Sequence, residues 1–394
     1  MLDNPTHPEI RLLDGEFYAA DPHPCFTWMR QHAPVYWDEP AQVWGIASYA
    51  DVMAISKDPQ TFSNSAGNRP DAPALPFMIS MDDPQHKRRR GLVNKGFTPR
   101  RVAEREPRIR RISADLIERA KKLGELDFVR DVAAWLPLIV IGDMLGVDPE
   151  HYESLLHWSD EMVLGSGATD PELLQRSNDA FVQYAAYQAQ VIAERRANPG
   201  DDLISILVHA EIDGERLSDD DILWESLLLL IGGDETTRHV LSGGMYQLLT
   251  HLDQWLALKR DPMKLGGAIE EMLRWVTPIQ NMSRVVMRDL EYRGREMKAG
   301  QKLVLLYPSA NRDEKVFADP FRFDIERSPN DHIAFGYGAH FCLGSSLARL
   351  EARVFFEELM ARLPNLELTS AEPPRLRASN FITGIESLPV RVIG

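Results

Sequence analysis

The sequence predicts a mainly helical fold with a minor β region, and three observations predict it. Residues 101–196 read as helix after helix at amphipathic spacing, broken at Gly124, at Gly146-Val147-Asp148-Pro149 and at Asp170-Pro171. Leu217 to Thr250 reads as one long helix, apolar on all sides around Leu227 to Ile231, as in a helix through a protein interior. Strand-like segments, rich in β-branched and aromatic residues or punctuated by tight turns, are confined to Val35–Ser48 and Asn281–Leu306. With 394 residues, 44% of them apolar and 26% charged, the chain can bury a substantial core.

Taken in order, Pro24–Arg30 reads as a short helix and Val35–Ser48 as two strands around a turn at Glu39-Pro40. Helical character resumes at Asp51–Ile55. Ser63–Pro76, rich in Ser, Asn, Gly, Pro and Ala, reads as a long loop, and such loops are often functional. Within Asp82–Pro99, Asp83 is placed to cap a helix with Pro84 in its first turn, and His86 and Arg90 share a face of it. Taken alone, HKRRR is equally a solvated basic face. Asn198-Pro199-Gly200 ends the helical run, and Ser218 is placed to cap the long helix. Pro262–Trp275 reads as a helix carrying Glu271 and Arg274 at i, i+3, a pair that is common and weak on helix surfaces. Turns at Arg293-Gly294 and Ala299-Gly300 punctuate a small sheet, and Ser379–Val392 reads as a hairpin.

Two stretches ask for more than a structural reading. The interior helix carries Gly232-Gly233 followed by Asp234, Glu235, Thr236 and Thr237. Each mid-helix glycine costs about 1 kcal/mol relative to alanine, and carboxylates are expensive to bury. Such cost without a visible gain marks a site; a hinge or a close helix crossing at the glycine pair is the alternative. The second stretch is Phe335–Ala348, FGYGAHFCLGSSLA. Gly336, Gly338 and Gly344 bracket Cys342, as in a tight loop pressed against something flat or bulky. Leu343, Leu347, Leu350 and Val354 follow at helical spacing, which puts Cys342 at or just before a helix N-terminus, where amides favour a thiolate. A lone cysteine is otherwise an inert buried thiol; a thiolate on a glycine loop suits a soft metal centre, haem iron among them.

Composition excludes several classes. A net charge of −15 argues against general nucleic-acid binding. Two distant cysteines, Cys25 and Cys342, argue against a disulfide framework and for a reducing compartment. The acidic, proline-broken start MLDNPTHPEIRLLDGEF does not read as a signal or anchor, and the most apolar runs read as too short for a membrane span, so neither is expected. A cytoplasmic location is expected.

Phe335, Gly338, His340, Cys342, Gly344 and Ala348 resemble, position by position, the haem-binding loop of the cytochrome P-450 family. The resemblance implies that Cys342 is the axial ligand of a haem b iron and His340 a donor to a propionate. It puts Phe335 beside the sulfur and Gly344 where the backbone passes near the porphyrin. His86 and Arg90 match the family's His-x-x-x-Arg pair, and Arg284 its third propionate ligand. GGDETT resembles the oxygen-binding motif, which implies that Thr236 hydrogen-bonds dioxygen or its water, Glu235 relays protons and Gly232 makes room. Glu271 and Arg274 match a buried Glu-x-x-Arg pair that the family ties to an arginine of a Pro-x-Arg-Phe segment, here Arg322. By the same resemblance Phe77, Met78, Ile79, Leu228, Ile231, Ile279, Met282, Phe381 and Ile382 border a substrate pocket, and nearly all are apolar.

These matches span the chain and imply one haem domain over residues 1–394 with the cytochrome P-450 fold, acting as a monooxygenase with dioxygen as co-substrate. No flavin fingerprint or iron–sulfur cysteine set is present, so electrons are expected from NAD(P)H through a ferredoxin and its reductase. Lys87, Arg88 and Arg89 form a local basic patch that suits an acidic redox partner, and the docking face is expected near the Cys342 side, including some of Arg88, Arg89 and the helix after Cys342. The run GGDETTRHVLSGG resembles actinobacterial cytochromes that hydroxylate the terminal methyl of the cholesterol side chain, which points to cholesterol or cholest-4-en-3-one. The alternatives are another apolar substrate (fatty acid, terpenoid or polyketide), peroxide-driven turnover, and a non-catalytic haem or sterol-binding protein.

Overall fold

The computed structural model describes residues 5–165, 170–212, 214–363 and 365–393. Its central element is the helix Asp219–Thr250. The Ser218 hydroxyl accepts from the Asp221 amide while the Asp221 carboxylate accepts from the Ser218 amide, a capping box that fixes where the helix starts. The helix then runs through the core between Trp135–Met144, Leu265–Val276 and Ser345–Arg362. Its close crossing lies at a second glycine pair. A Cβ on Gly243 would stand 2.7 Å from Val276, and one on Gly244 would stand 2.6 Å from the Met272 sulfur. The helix Ser345–Arg362 packs along Glu106–Leu123.

The minor β region is a five-stranded sheet in the order Val35–Asp38, Val43–Ile46, Lys302–Leu306, Asn281–Val286, Phe62–Ser63. Lys302–Leu306 runs parallel to Val43–Ile46 and antiparallel to Asn281–Val286, so the N-terminal strand pair is completed by a strand from far down the chain. A second sheet joins Asn365–Leu368, Pro389–Ile393 and Glu125–Asp127. This corrects the predicted hairpin over Ser379–Val392. The turn is shorter, closed by the bridge between Leu376 and Ile385, and Pro389–Ile393 pairs instead with two strands distant in sequence. No helix among the described residues is long and apolar enough to cross a membrane.

One polar residue on the interior helix gives a stability prediction. Glu225 is fully buried; it accepts from the Met78 amide at 2.8 Å and faces Arg89 at 3.4 Å, while its second oxygen has no partner. Burial pushes its carboxyl up to about 7, against the pull of Arg89. A carboxyl raised above its unfolded value holds its proton longer in the native state, so it lowers stability as pH climbs from about 4 towards about 7. Glu225→Gln keeps the Met78 bond without the charge. It is expected to stabilise the protein at pH 8 by roughly 1–3 kcal/mol and to be near neutral at pH 4. Urea unfolding at the two pH values checks this, and an equal effect at both would contradict it.

Candidate active site

The cysteine loop is built by backbone closure and by two adjacent acids. The Cys342 amide donates to the Phe335 carbonyl at 2.9 Å, and the helix starts three residues on, at Ser345. Gly336 and Gly338 adopt φ of 70° and 77°, and a Cβ on Gly338 would stand 2.5 Å from the Ser56 carbonyl oxygen, so glycine is required there. Glu270 takes both Arg349, at 2.6 and 2.7 Å, and His332, at 3.0 Å, gripping the chain on either side of the loop. Although burial opposes it, this pairing holds the Glu270 carboxyl down at about 2. The Arg349 guanidinium also lies 4.6 Å over the Phe335 ring.

Glu271, next along the same helix, is fully buried with Arg274, which donates to it at 2.8 and 2.7 Å and to the carbonyls of Asn311 and Pro320. The second arginine here is Arg327 and not Arg322. Arg327 donates to both Glu271 oxygens at 3.3 and 3.1 Å, whereas Arg322 is exposed and contributes only its carbonyl. The reason is local folding: the chain turns at Asp324, where the Arg327 amide bonds the Asp324 carbonyl, and this brings residue 327 back over Glu271.

At Cys342 the sequence expectation of a favoured thiolate meets a competing effect. Burial raises the thiol; the amides of Gly344 and Ser345 and the charges of Arg90 and Arg349 offset this only in part. In the protein alone the sulfur is therefore a thiol, and a bound cation is what would make it a thiolate.

The surroundings fit a flat dianionic group. A Cβ on Gly344 in the loop or on Gly232 in the interior helix would meet nothing within 4 Å, so both glycines border open space. Beside the loop, the rings of His86 and His340 stand 4.0 Å apart, and the buried Nε2 of His86 has no partner. Arg284 is buried with a hydrogen bond to the Ser283 carbonyl, and Arg90 donates to the Phe341 carbonyl. Burial and then the other three members of this set hold His340 down at about 3. His86 and Arg284 are buried and Arg90 and His340 half-buried; with Asp83, at 3.3 Å from His86 Nδ1, as the carboxylate in contact, this gathering of basic groups favours a further anion among them. Two propionates on a porphyrin answer that requirement, and Cys342 Sγ answers the iron.

On the interior helix, Thr236 donates to the Gly232 carbonyl at 2.8 Å. Glu235 is fully buried and gripped by Arg377 at 2.6 Å, Arg238 at 3.1 Å and His239 at 3.4 Å. Burial would raise its carboxyl, yet Arg238 and Arg377 hold it well below the ordinary carboxylate range. Asp234 turns the other way, to Ser159 at 2.9 Å and to Arg238, and burial pushes it up to about 7. Two neighbouring acids thus sit in opposite protonation regimes. Sequence reasoning missed Arg238, His239, Arg327 and Arg377. The first two lie at i+3 and i+4 from Glu235 and were legible from helical spacing; no spacing announces the other two.

Of the predicted pocket residues, Ile79, Leu228, Ile231, Ile279, Met282 and Phe381 keep accessible surface. Phe77, Met78 and Ile382 are buried: Phe77 lies edge-on to Trp224 at 5.7 Å and Ile382 bridges to Ile279. Of the basic patch, Lys87 and Arg88 stay exposed and Arg89 does not. Arg88 is paired with Glu215, and Arg89 is drawn inward to Asp221 and Glu225 because the interior helix presents acids there.

The cytochrome P-450 family model matches residues 264–387. The steroid C26-monooxygenase of Mycolicibacterium smegmatis is 50% identical over 387 residues, which are 98% of this chain and 96% of that protein. The chain belongs to the cytochrome P-450 family. The steroid C26-monooxygenase of Mycobacterium tuberculosis is likewise 50% identical, with 97% of each chain covered. Among solved structures, this P-450 superposes on CYP109E1 from Bacillus megaterium in complex with testosterone with a TM-score of 0.88, at 36% identity, covering 96% of this chain and 100% of that one. Membership in this family of monooxygenases implies a haem iron and dioxygen.

Proposed function

We propose that this P-450 is a single haem domain that inserts one atom of dioxygen into an unactivated C–H bond at the end of a steroid side chain, with cholesterol or cholest-4-en-3-one as substrate. The half-identity to two steroid C26-monooxygenases along nearly the whole chain carries the reading. The apolar, accessible set Ile79, Leu228, Ile231, Ile279, Met282 and Phe381 supports it, since a sterol is recognised mainly by apolar contact.

Cys342 Sγ would hold the haem iron, with His86, Arg90, Arg284 and His340 at the propionates. Bound haem supplies the oxygen-activating redox chemistry, and the protein supplies ligand, proton path and substrate pose. The Thr236 hydroxyl, which donates to the carbonyl of Gly232 beside the open space, would be the atom that delivers the proton. Glu235, kept ionised by Arg377 and Arg238, would serve the relay as an acceptor that takes up a proton and passes it towards Thr236, with one carboxylate oxygen bonded to Arg377 and the other without a hydrogen-bond partner. Electrons come from NAD(P)H through a ferredoxin and ferredoxin reductase, in the cytoplasm.

Spectral titration tests the substrate. Cholesterol and cholest-4-en-3-one are expected to shift the Soret band of the purified holoenzyme and, with ferredoxin, reductase and NAD(P)H, to give side-chain terminal hydroxylation. Fatty acids and terpenes are expected to do neither, and the reverse pattern would rule the steroid out.

A further inference from the structure

The acid that the mechanism uses is tied to a part of the chain that the mechanism has not yet used. Arg377 reaches Glu235 from the stem of the C-terminal turn, which is closed by the bridge between Leu376 and Ile385 and by the Arg377 amide on the Gly384 carbonyl at 2.9 Å. Across that stem Thr383 donates to the Arg377 carbonyl at 2.6 Å. Gly384 lies so close to the interior helix that a Cβ there would stand 2.1 Å from His239 Nδ1, and His239 is itself a Glu235 partner. The stem thus holds the acid through the Arg377 ion pair and packs against the neighbouring His239 at Gly384.

The tip of the same turn belongs to the pocket wall. Phe381 accepts from the Gln280 amide at 2.8 Å, Ile382 bridges to Ile279, and the Thr383 amide donates to the Pro278 carbonyl at 3.0 Å. The Arg69 guanidinium lies 5.1 Å over the Phe381 ring, and Asn380 is tied to Asp71 and to the Leu13 carbonyl. The loop, the sheet and the N-terminal arm all bear on this tip.

We propose that Arg377 is a positioning residue that makes the pocket turn and Glu235 one mechanical unit, so that substrate seating and proton delivery are linked. This rests on the reading of Glu235 as the proton-relaying acid and of Phe381 as pocket wall. Linkage is reciprocal: if substrate seating at the tip sets the place of Glu235, then loss of the Glu235 charge must weaken substrate binding. Residues acting through one shared bond also give non-additive variants.

The test uses purified holoenzyme of Arg377→Gln, Arg377→Lys, Glu235→Gln and the Arg377→Gln/Glu235→Gln pair, with cholest-4-en-3-one as probe. Haem content and the reduced carbonyl band report folding. Arg377→Gln is expected to lower product formed per NAD(P)H about fivefold, with peroxide accounting for the difference, and to raise the spectral-titration midpoint by a similar factor. Arg377→Lys is expected to recover most of both. Glu235→Gln is expected to raise the midpoint about as much as Arg377→Gln, and the double variant no further. A Glu235→Gln midpoint within twofold of the parent, or effects that multiply in the double variant, overturns the proposal. Unchanged coupling in Glu235→Gln overturns the relay itself, while a matched midpoint shift in that same variant still upholds the mechanical link.

Discussion

Cys342→Ala is expected to abolish the thiolate-type Soret band of the reduced carbonyl adduct and to take monooxygenase turnover to background, while the chain still folds. The loop does not depend on the sulfur for its shape. The Phe335–Cys342 backbone bond, the two positive-φ glycines, and the Glu270 pairs to Arg349 and His332 all survive the substitution. What is lost is the soft anionic ligand whose electron donation favours oxygen–oxygen cleavage. Cys342→His separates ligation from chemistry: it is expected to keep pigment with an imidazole-type spectrum and still fail to turn over. A reduced carbonyl spectrum unchanged by alanine would remove the ligand assignment and the oxidative reading with it.

Glu271→Ala is expected to destabilise the protein by about 3–5 kcal/mol, a large share of the roughly 5–15 kcal/mol that holds a typical domain folded. The carboxylate is the meeting point of Arg274 and Arg327 and also accepts from the Asp324 amide and the Asn330 amide group. Removing it strands two buried guanidiniums and releases the segment that leads into the haem loop. Holoenzyme yield is therefore expected to fall with stability. The structure sharpens this into a comparison between two arginines. Arg327→Ala is expected to cost several kcal/mol because its side chain is buried on Glu271, and Arg322→Ala to stay within about 0.5 kcal/mol because its side chain is exposed. Denaturant unfolding of the two single variants decides it, and equal losses would contradict the assignment of Arg327.

Sequence by itself determined what local pattern and composition can carry. The extent and cap of the interior helix, the strand pair at Val35–Asp38 and Val43–Ile46, and the glycine-framed loop around Cys342 were readable because a hydrogen-bond period, a capping side chain or a required φ is written within a few residues. The unusual chemistry at Gly232–Thr236 was readable for the same reason, since polar and flexible residues inside an apolar helix stand out against their neighbours.

Only the tertiary structure decided which charges meet. Arg327 in place of Arg322 at Glu271, Arg377 on Glu235, and the diversion of Arg88 and Arg89 to acids elsewhere are pairings between residues far apart in the chain. The strand Pro389–Ile393, separated from the turn before it, is another such pairing. The physical reason is common to all of them. A side chain's reach and a strand's edge select partners by distance in space, and burial then fixes the choice by making any unpaired charge or amide costly. Nothing in a residue's immediate neighbours records that selection.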